Sequence, residues 1–281
     1  MSRITGWTIA GAEGQPIYGN THWPSGERDR VLVICHGFKG YKDYGFLPYL
    51  AQRAAQSGLV AHRFNFSHSG MTNHLETFEH PQLFEQDTWS KQAFDLEQVS
   101  TAARAGQLPG ADACRFMAWF GHSRGGVTAL LTAVRYPESA PDRIVTAASP
   151  CTGDNITDEQ REILQTRGWL ESASSRTGQE LRIGRAWLAD IDAAPKNVDP
   201  LAAIKNIKCP VLIVHGDADS TVPVDSAHLL HRAGAARTRL EVIDNASHTF
   251  NAANPMDVDS PPTAVVQLAD HLCRFCQLAG Q

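Results

Sequence analysis

The sequence predicts an α/β fold with a mostly parallel central sheet flanked by helices on both faces. Short, almost wholly apolar segments alternate along the chain with segments of helical spacing, and a glycine-rich turn joins one apolar segment to the helix after it. This alternation is typical of parallel strands that helices cover on both sides. Functional side chains of such sheets lie beyond the carboxyl ends of the strands. We therefore expect the functional residues in the turns that follow the strands.

The predicted elements begin with a hairpin and continue with alternating strands and helices. Residues 8–24 predict an antiparallel hairpin at the edge of the sheet, and residues 30–35 and 59–66 predict buried strands. Between those strands the helical spacing of 47–57 ends at Gly58, a residue type that commonly closes a helix. The remaining predicted elements are a helix at 83–105, a strand at 115–120, a helix at 127–135, strands at 143–148, 211–215 and 240–243, and a closing amphipathic helix at 264–278.

Residues 151–201 interrupt the alternation. This segment has helical signals but no strand expected within the sheet, and it is longer than an ordinary connection between elements. We predict that it is an inserted lid, or cap, within a single domain that spans residues 1–281. Its large apolar side chains either line a substrate pocket or form the core of the lid itself: Trp169, Leu170, Trp187 and Leu188.

The composition is that of an ordinary globular protein, with 42% hydrophobic and 20% charged residues. The formal net charge of −5 leaves no basic surplus to neutralise phosphates, so nucleic acid is not an expected partner. No apolar run approaches the roughly 18 residues that a membrane-spanning helix needs, and the first residues contain no long apolar segment of the signal-peptide type. We expect a cytoplasmic protein that does not contact a membrane.

No metal or organic cofactor is expected. Cys273 and Cys276 form a C-x-x-C pair, but no second cysteine pair at zinc-site spacing accompanies them. Four histidines recur at regular spacing: His62, His68, His74 and His80. The segment that holds them provides no common helix face, so their spacing does not predict a metal site.

The strongest indication of chemistry is FGHSRGG, in which Gly121 and Gly125 flank Ser123. An apolar strand precedes this motif and a helix follows it, which is the context that a G-x-S-x-G nucleophile turn requires. The serine must occupy a tight, strained turn where larger neighbours would collide. Ser123 is therefore the candidate nucleophile.

A serine hydroxyl is a weak nucleophile near neutral pH, so a base must take its proton and a third group must orient that base. His248 follows the last predicted strand in a loop of small residues and is the candidate base. Asp219 follows the strand at 211–215 and is the candidate orienting acid, with Asp217 as the competing carboxylate and Asp225 as a third.

An acyl transfer also needs backbone N–H donors for the carbonyl oxygen as it gains negative charge. We expect Phe38 and Arg124 to supply them, while Gly37 lets the loop approach closely and His36 holds the loop by hydrogen bonds. Two nearby lysines are either solvated charges or contacts for an anionic substrate: Lys39 and Lys42.

The motifs HGF, GHSRGG, HGDADSTVP and SHTF follow one another at predicted strand ends. Together they resemble the α/β-hydrolase family over nearly the whole chain. Within that family the chain looks most like the bacterial cinnamoyl/feruloyl-esterase and dienelactone-hydrolase-like groups. It departs from the dienelactone hydrolases proper, which commonly use a cysteine nucleophile, and it lacks the HGGG run of the hormone-sensitive-lipase-like group.

The resemblance implies a serine hydrolase, a carboxylesterase, that cleaves a small-molecule ester through an acyl-enzyme. Ser123 would attack, His248 would act as base, Asp219 would orient it, and the Phe38 and Arg124 amides would form the oxyanion hole. Three alternatives stay open: an amidase or peptidase, a thioesterase, and a non-catalytic ligand-binding protein of the same fold. Dehalogenases and epoxide hydrolases of the fold use an aspartate at the turn, so Ser123 argues against them.

Overall fold

A twisted sheet with helices on both faces forms the centre of the protein, and the computed structural model describes residues 3–74, 77–110 and 113–277. Within these residues the main sheet consists of β1 (Ile4–Ala10), β2 (Pro16–His22), β3 (Arg30–Cys35), β4 (Val60–Phe64), β5 (Phe116–His122), β6 (Arg143–Ala147), β9 (Val211–Gly216) and β10 (Thr238–Ile243). A separate pair is formed by β7 (Trp169–Glu171) and β8 (Arg182–Gly184). The helices are α1 (Leu47–Gln56), α2 (Pro81–Glu85), α3 (Trp89–Arg104), α4 (Arg124–Arg135), α5 (Asp158–Thr166), α6 (Arg185–Ala193), α7 (Pro200–Asn206), α8 (Asp225–Gly234) and α9 (Thr263–Gln277).

The strand order of the main sheet is β1-β2-β4-β3-β5-β6-β9-β10. β2 is antiparallel to both of its neighbours, and the other pairs are parallel. The predicted hairpin edge and the mostly parallel sheet are therefore confirmed. Because β3 lies between β4 and β5, the chain changes direction across the sheet at β3, and such a switch point opens a crevice at the carboxyl ends of the strands.

Consecutive side chains of β5 show how the sheet separates two cores. Trp119 packs with Val127 and Leu130 of α4 on one face, whereas Phe120 packs with residues of α1 and α9 on the other. All of these side chains are fully buried. Since neighbouring residues of a strand point to opposite faces, one apolar strand serves both helical layers, as the continuous apolar run predicted.

Two boundaries differ from the sequence prediction in ways that matter for the site. The predicted helix at 83–105 is broken into α2 and α3, because Thr88 is extended and its side chain caps α3 by accepting a hydrogen bond from the Lys91 N–H. The glycine-rich turn is also shorter than predicted, since β5 continues to His122 and α4 begins at Arg124. The last predicted helix is α9, and its predicted final residue, Leu278, lies outside the described residues.

The segment 151–201 contributes no strand to the main sheet, as predicted. It contains α5, the β7–β8 pair, α6 and the start of α7. The pair is antiparallel. It lies against α2, as the close approach of Gly184 shows: a Cβ added there would lie 2.4 Å from the Glu85 carbonyl oxygen.

Across the described residues, no helix combines the length and the apolar character that crossing a membrane requires.

Candidate active site

Ser123 alone forms the turn between β5 and α4. Its backbone has φ 53° and ψ −121°, a region that residues with a Cβ seldom occupy. Its N–H donates a 2.8 Å hydrogen bond to the Ala147 carbonyl at the end of β6, which helps to hold the strained turn in place. The side chain follows the carboxyl end of β5, where the fold predicts functional groups.

The glycines of the motif bring α4 against the strands. A Cβ on Gly121 would lie 2.2 Å from the Gly125 carbonyl oxygen, and a Cβ on Gly125 would lie 2.5 Å from the His36 carbonyl oxygen. Contacts this short with backbone atoms force the chain to shift, because neither neighbour is a flexible side-chain end.

Gly125→Ala is expected to lower the free energy of unfolding by about 1–3 kcal/mol, since overpacking displaces the start of α4 from the end of β3. Urea unfolding of the purified variant measures the loss. Gly26→Ala is the matched control, because a Cβ at Gly26 meets no atom within 4 Å. An unfolding midpoint for Gly125→Ala equal to that of the control would contradict the expected clash.

Three side chains from different strand ends form one hydrogen-bonded chain. The His248 Nδ1–H donates to Asp219 Oδ2 at 2.8 Å, and Ser123 Oγ lies 3.0 Å from His248 Nε2. Asp219 follows β9, and His248 follows β10. With the proton on Nδ1, the Nε2 atom is free to accept the serine proton.

Asp219, and not its competitors, lies beside the imidazole. Its other oxygen, Oδ1, accepts 2.8 Å hydrogen bonds from the N–H groups of Thr221 and Val222. Asp217 Oδ1 instead accepts a 2.6 Å bond from the Asn245 N–H, which joins the turns after β9 and β10. Asp225, the third candidate, begins α8.

Asp219 is held in its ionised form. Burial alone would raise its pKa, but hydrogen bonds from His215 and His248 outweigh burial and keep the pKa below its ordinary value. His215 Nε2 lies 3.3 Å from Asp219 Oδ2 and 2.9 Å from the Val222 carbonyl oxygen. Sequence reasoning did not single out His215; its position as the histidine of HGD at the end of β9 was the available signal.

His122, which precedes Ser123, contacts the candidate base His248. Its Nε2 lies 2.9 Å from the His248 carbonyl oxygen. Its ring meets that of Phe46 edge-on and that of His248 at a tilt, with centroids 5.2 and 5.0 Å apart. Burial lowers the pKa of His122 to about 3, so the ring is neutral and its Nε2–H donates to that carbonyl. The sequence analysis missed this residue as well.

The segments that carry the two predicted amide donors meet at Ser123. A Cβ on Gly37 would lie 3.2 Å from Ser123 Cβ, which places the loop before Phe38 against the turn. Arg124 is the first residue of α4, and the first N–H groups of a helix have no partner within the helix. Both segments therefore lie next to the serine.

His36 is a neutral support of this loop. Its Nδ1–H donates to the Gly37 carbonyl oxygen at 2.8 Å, and its Nε2 accepts from the Phe66 N–H at 3.3 Å. Burial lowers the pKa of His36 to about 4, which keeps the ring uncharged near neutral pH. These bonds fix the loop and leave no proton-transfer role for His36.

The two loop lysines lie in different surroundings. Lys39 Nζ donates a 2.6 Å hydrogen bond to the Ala173 carbonyl oxygen of the inserted segment. Lys42 is 5% exposed and pairs with Asp43, which also pairs with Arg63. Both alternatives drawn from the sequence are wrong for Lys42, because its ammonium is buried beside Asp43 and Arg63.

The apolar candidates of the inserted segment separate into two groups. Trp187 of α6 packs against the Trp89 ring at 4.8 Å and against the Arg124 guanidinium at 3.8 Å. Leu188 is buried. Trp169 instead lies on β7 between the guanidinium groups of Arg167 and Arg182, and Leu170 is half-buried beside it.

The described residues contain no group of three or more His, Cys, Asp or Glu side chains able to hold a metal ion. An imidazole that an ionised carboxylate orients can remove the proton of a serine hydroxyl, and backbone donors beside that hydroxyl can stabilise an oxyanion.

Comparisons with known proteins bear on the fold in which these residues lie. The family model described as the alpha/beta hydrolase family matches residues 32–268. A human protein named serine hydrolase BPHL is 26% identical over 144 residues, which span 47% of this chain and 48% of that protein. The aligned part is thus about half of the curated relative.

Solved structures share the fold over nearly the full length. Est1E from Butyrivibrio proteoclasticus is similar with a TM-score of 0.66 at 16% identity, over 96% of both chains. A dienelactone hydrolase from Anabaena variabilis is similar with a TM-score of 0.65 at 17% identity, over 98% of this chain and 96% of its own. Likeness at this low identity shows the fold alone.

Proposed function

The chain belongs to the alpha/beta hydrolase family, and from that premise we propose that it is a serine hydrolase that cleaves carboxylic esters of small molecules. The observation that carries the proposal is the continuous hydrogen-bonded chain from Asp219 through His248 to Ser123, with distances of 2.8 and 3.0 Å. The aligned human relative, which is named a serine hydrolase, supports the choice of nucleophile.

The first half of the reaction forms an acyl-enzyme. His248 Nε2 takes the Ser123 proton as Oγ attacks the ester carbonyl carbon, and the carbonyl oxygen becomes an oxyanion. The Phe38 and Arg124 amides donate hydrogen bonds to that oxyanion. His248 then gives its proton to the leaving alcohol, and the acyl group remains on Ser123.

The second half releases the acid. His248 removes a proton from water, the hydroxide attacks the acyl carbonyl, and the Ser123 oxygen leaves with the proton that His248 returns. Throughout the cycle Asp219 keeps the imidazole in the required tautomer and stabilises its charged form. Its pKa, which lies below the ordinary value, suits this constant negative charge. No metal or organic cofactor takes part in this mechanism.

The inserted segment 151–201 acts as a cap over the substrate side. Two contacts support this role. Lys39 of the loop after β3, residues 36–40, which we call the oxyanion loop, bonds the Ala173 carbonyl. Trp187 covers the Arg124 side chain next to the nucleophile. Phe38 is 40% exposed and lies 5.4 Å from the Phe84 ring. An exposed aromatic ring at this place favours an apolar or aromatic group on the substrate.

A panel of acyl substrates tests the proposal. We expect purified protein to hydrolyse p-nitrophenyl esters or methyl ferulate faster than a matched aryl amide or an acyl thioester, and a fluorophosphonate probe to label Ser123 in a peptide map. Faster cleavage of the amide or the thioester would replace the ester assignment with one of those activities. Absence of both hydrolysis and labelling would contradict a serine hydrolase.

A further inference from the structure

The Arg124 side chain lies at the meeting point of the oxyanion loop, α3 and the inserted segment. Its guanidinium carbon is 3.8 Å from the centroid of Trp187, 5.0 Å from that of Trp89 and 5.1 Å from that of Phe38. The side chain is only 11% exposed. A cation desolvated among aromatic faces is held in one orientation by several weak attractions.

An ion pair fixes the charged end of the same side chain. Arg124 Nη2 lies 3.0 Å from Asp87 Oδ2, and the Asp87 side chain is 7% exposed. Asp87 also accepts a 2.6 Å hydrogen bond from Gln92 Nε2, and the other end of that amide accepts a 2.7 Å bond from Thr128 Oγ1 on α4. The anchor of the guanidinium is therefore itself anchored to α3 and α4.

Arg124 is thus connected to both amides assigned to the oxyanion hole. One is its own backbone N–H, and the other belongs to Phe38, whose ring packs on the guanidinium. The cavity between the loop and this ion pair has a volume of only about 10 Å³. Because the guanidinium is in direct contact with the Phe38 ring, a change at the guanidinium acts on the loop.

We propose that the Arg124 side chain is a positioning group of the oxyanion hole, which fixes the Phe38 amide and its own amide relative to Asp87 and to Trp187 of the inserted segment. The proposal rests on the proposed serine hydrolase function. It assigns the contact with Trp187 a role in catalysis, because the inserted segment then supports the placement of the donors through the guanidinium.

The test compares Arg124→Met with Arg135→Met, the same change at the other end of α4. Among the described residues Arg135 bonds the Ser90 hydroxyl and contacts neither the oxyanion loop nor Ser123, Asp219 or His248. Loss of one oxyanion donor lowers kcat by about 10²–10³-fold, and a displaced donor costs less. We expect Arg124→Met to lower kcat and the rate constant of Ser123 labelling by a fluorophosphonate by roughly 10- to 100-fold, less than removal of a donor, with little change in KM.

Two further readouts separate positioning from stability. A trifluoromethyl ketone, whose adduct places an oxyanion between the two amides, should lose affinity in parallel with kcat/KM, whereas the product acid should not. Arg124→Lys keeps the ion pair and should have a higher kcat than Arg124→Met. Asp87→Asn should have a lower kcat than the wild type. Burial raises the pKa of Asp87 to about 6 although Arg124 opposes the shift, so the assays belong at pH 8, where Asp87 is ionised.

The outcomes are distinguishable. If the wild type is labelled at Ser123 but Arg124→Met is labelled as fast as Arg135→Met, the positioning role is overturned and the serine hydrolase proposal stands. A lower melting temperature with unchanged kcat would also overturn it, in favour of a purely structural ion pair. If Arg124→Met does not fold, the Arg124→Lys and Asp87→Asn rates decide the question in the same way. Absence of labelling in the wild type overturns the proposed function and this inference together.

Discussion

Ser123→Ala is expected to lower kcat for ester hydrolysis by about 10⁶-fold, the loss typical of removing the nucleophile of a serine hydrolase. The variant keeps the Asp219 and His248 pair and both oxyanion segments, so substrate still binds, but no hydroxyl lies 3.0 Å from His248 Nε2 to attack it. The residual rate then reflects water attack assisted by the remaining groups.

Initial rates with a p-nitrophenyl ester measure this effect, and intact-protein mass spectrometry after incubation with a fluorophosphonate measures the loss of labelling. Ser25→Ala is a matched control, since Ser25 lies exposed in the loop after β2 and its rate should equal that of the wild type. Retention of more than a small fraction of activity in Ser123→Ala, with labelling at another residue, would show that the nucleophile lies elsewhere.

Asp219→Asn is expected to lower kcat by about 10⁴-fold, because an amide can donate to His248 Nδ1 and thereby favour the tautomer in which Nε2 carries the proton. The imidazole in that form cannot accept the serine proton. The change also removes the negative charge that the lowered pKa of Asp219 maintains, so the imidazolium formed during attack is less stable.

Asp217→Asn is the matched control two residues earlier. Asp217 accepts a hydrogen bond from the Asn245 N–H, and an asparagine oxygen can accept the same bond. We expect its kcat to stay within a few-fold of the wild type, with a stability loss of at most about 1 kcal/mol. Equal losses of activity in the two variants, or a larger loss in Asp217→Asn, would contradict the assignment of Asp219.

Local sequence patterns were sufficient to predict the fold. A strand that is buried on both faces of the sheet is a continuous apolar run, and such a run is visible in the sequence. The break between α2 and α3 was not predicted, because helical spacing continues through residues 83–105 and does not reveal that Thr88 is extended and caps α3. Lys42 looks like a solvated loop lysine in the sequence, and only the fold shows that it is buried where Arg63 meets the neighbouring Asp43.

The candidate site likewise has residues that the sequence reveals and contacts that only the folded chain shows. The positions of Ser123, Asp219 and His248 follow from turns after strands, and turn positions are visible in sequence. The supporting contacts of His122 and His215 are not visible there, because each depends on a carbonyl or carboxylate that only the assembled sheet brings within reach. The choice of Asp219 over Asp217 was made from the sequence, and Asp219 is the one that lies 2.8 Å from His248 Nδ1.

Ser123, Asp219 and His248 lie at the ends of three different strands, which affects when the site forms during folding. Ser123 and His248 are separated by 125 residues, and the parallel pairs between them require crossover connections, which close slowly compared with local contacts. The β1–β2 hairpin can form from neighbouring residues alone. We therefore expect recovery of hydrolysis to be among the last events of refolding, so that the onset of turnover reports the docking of β9 and β10 and not the earlier appearance of secondary structure.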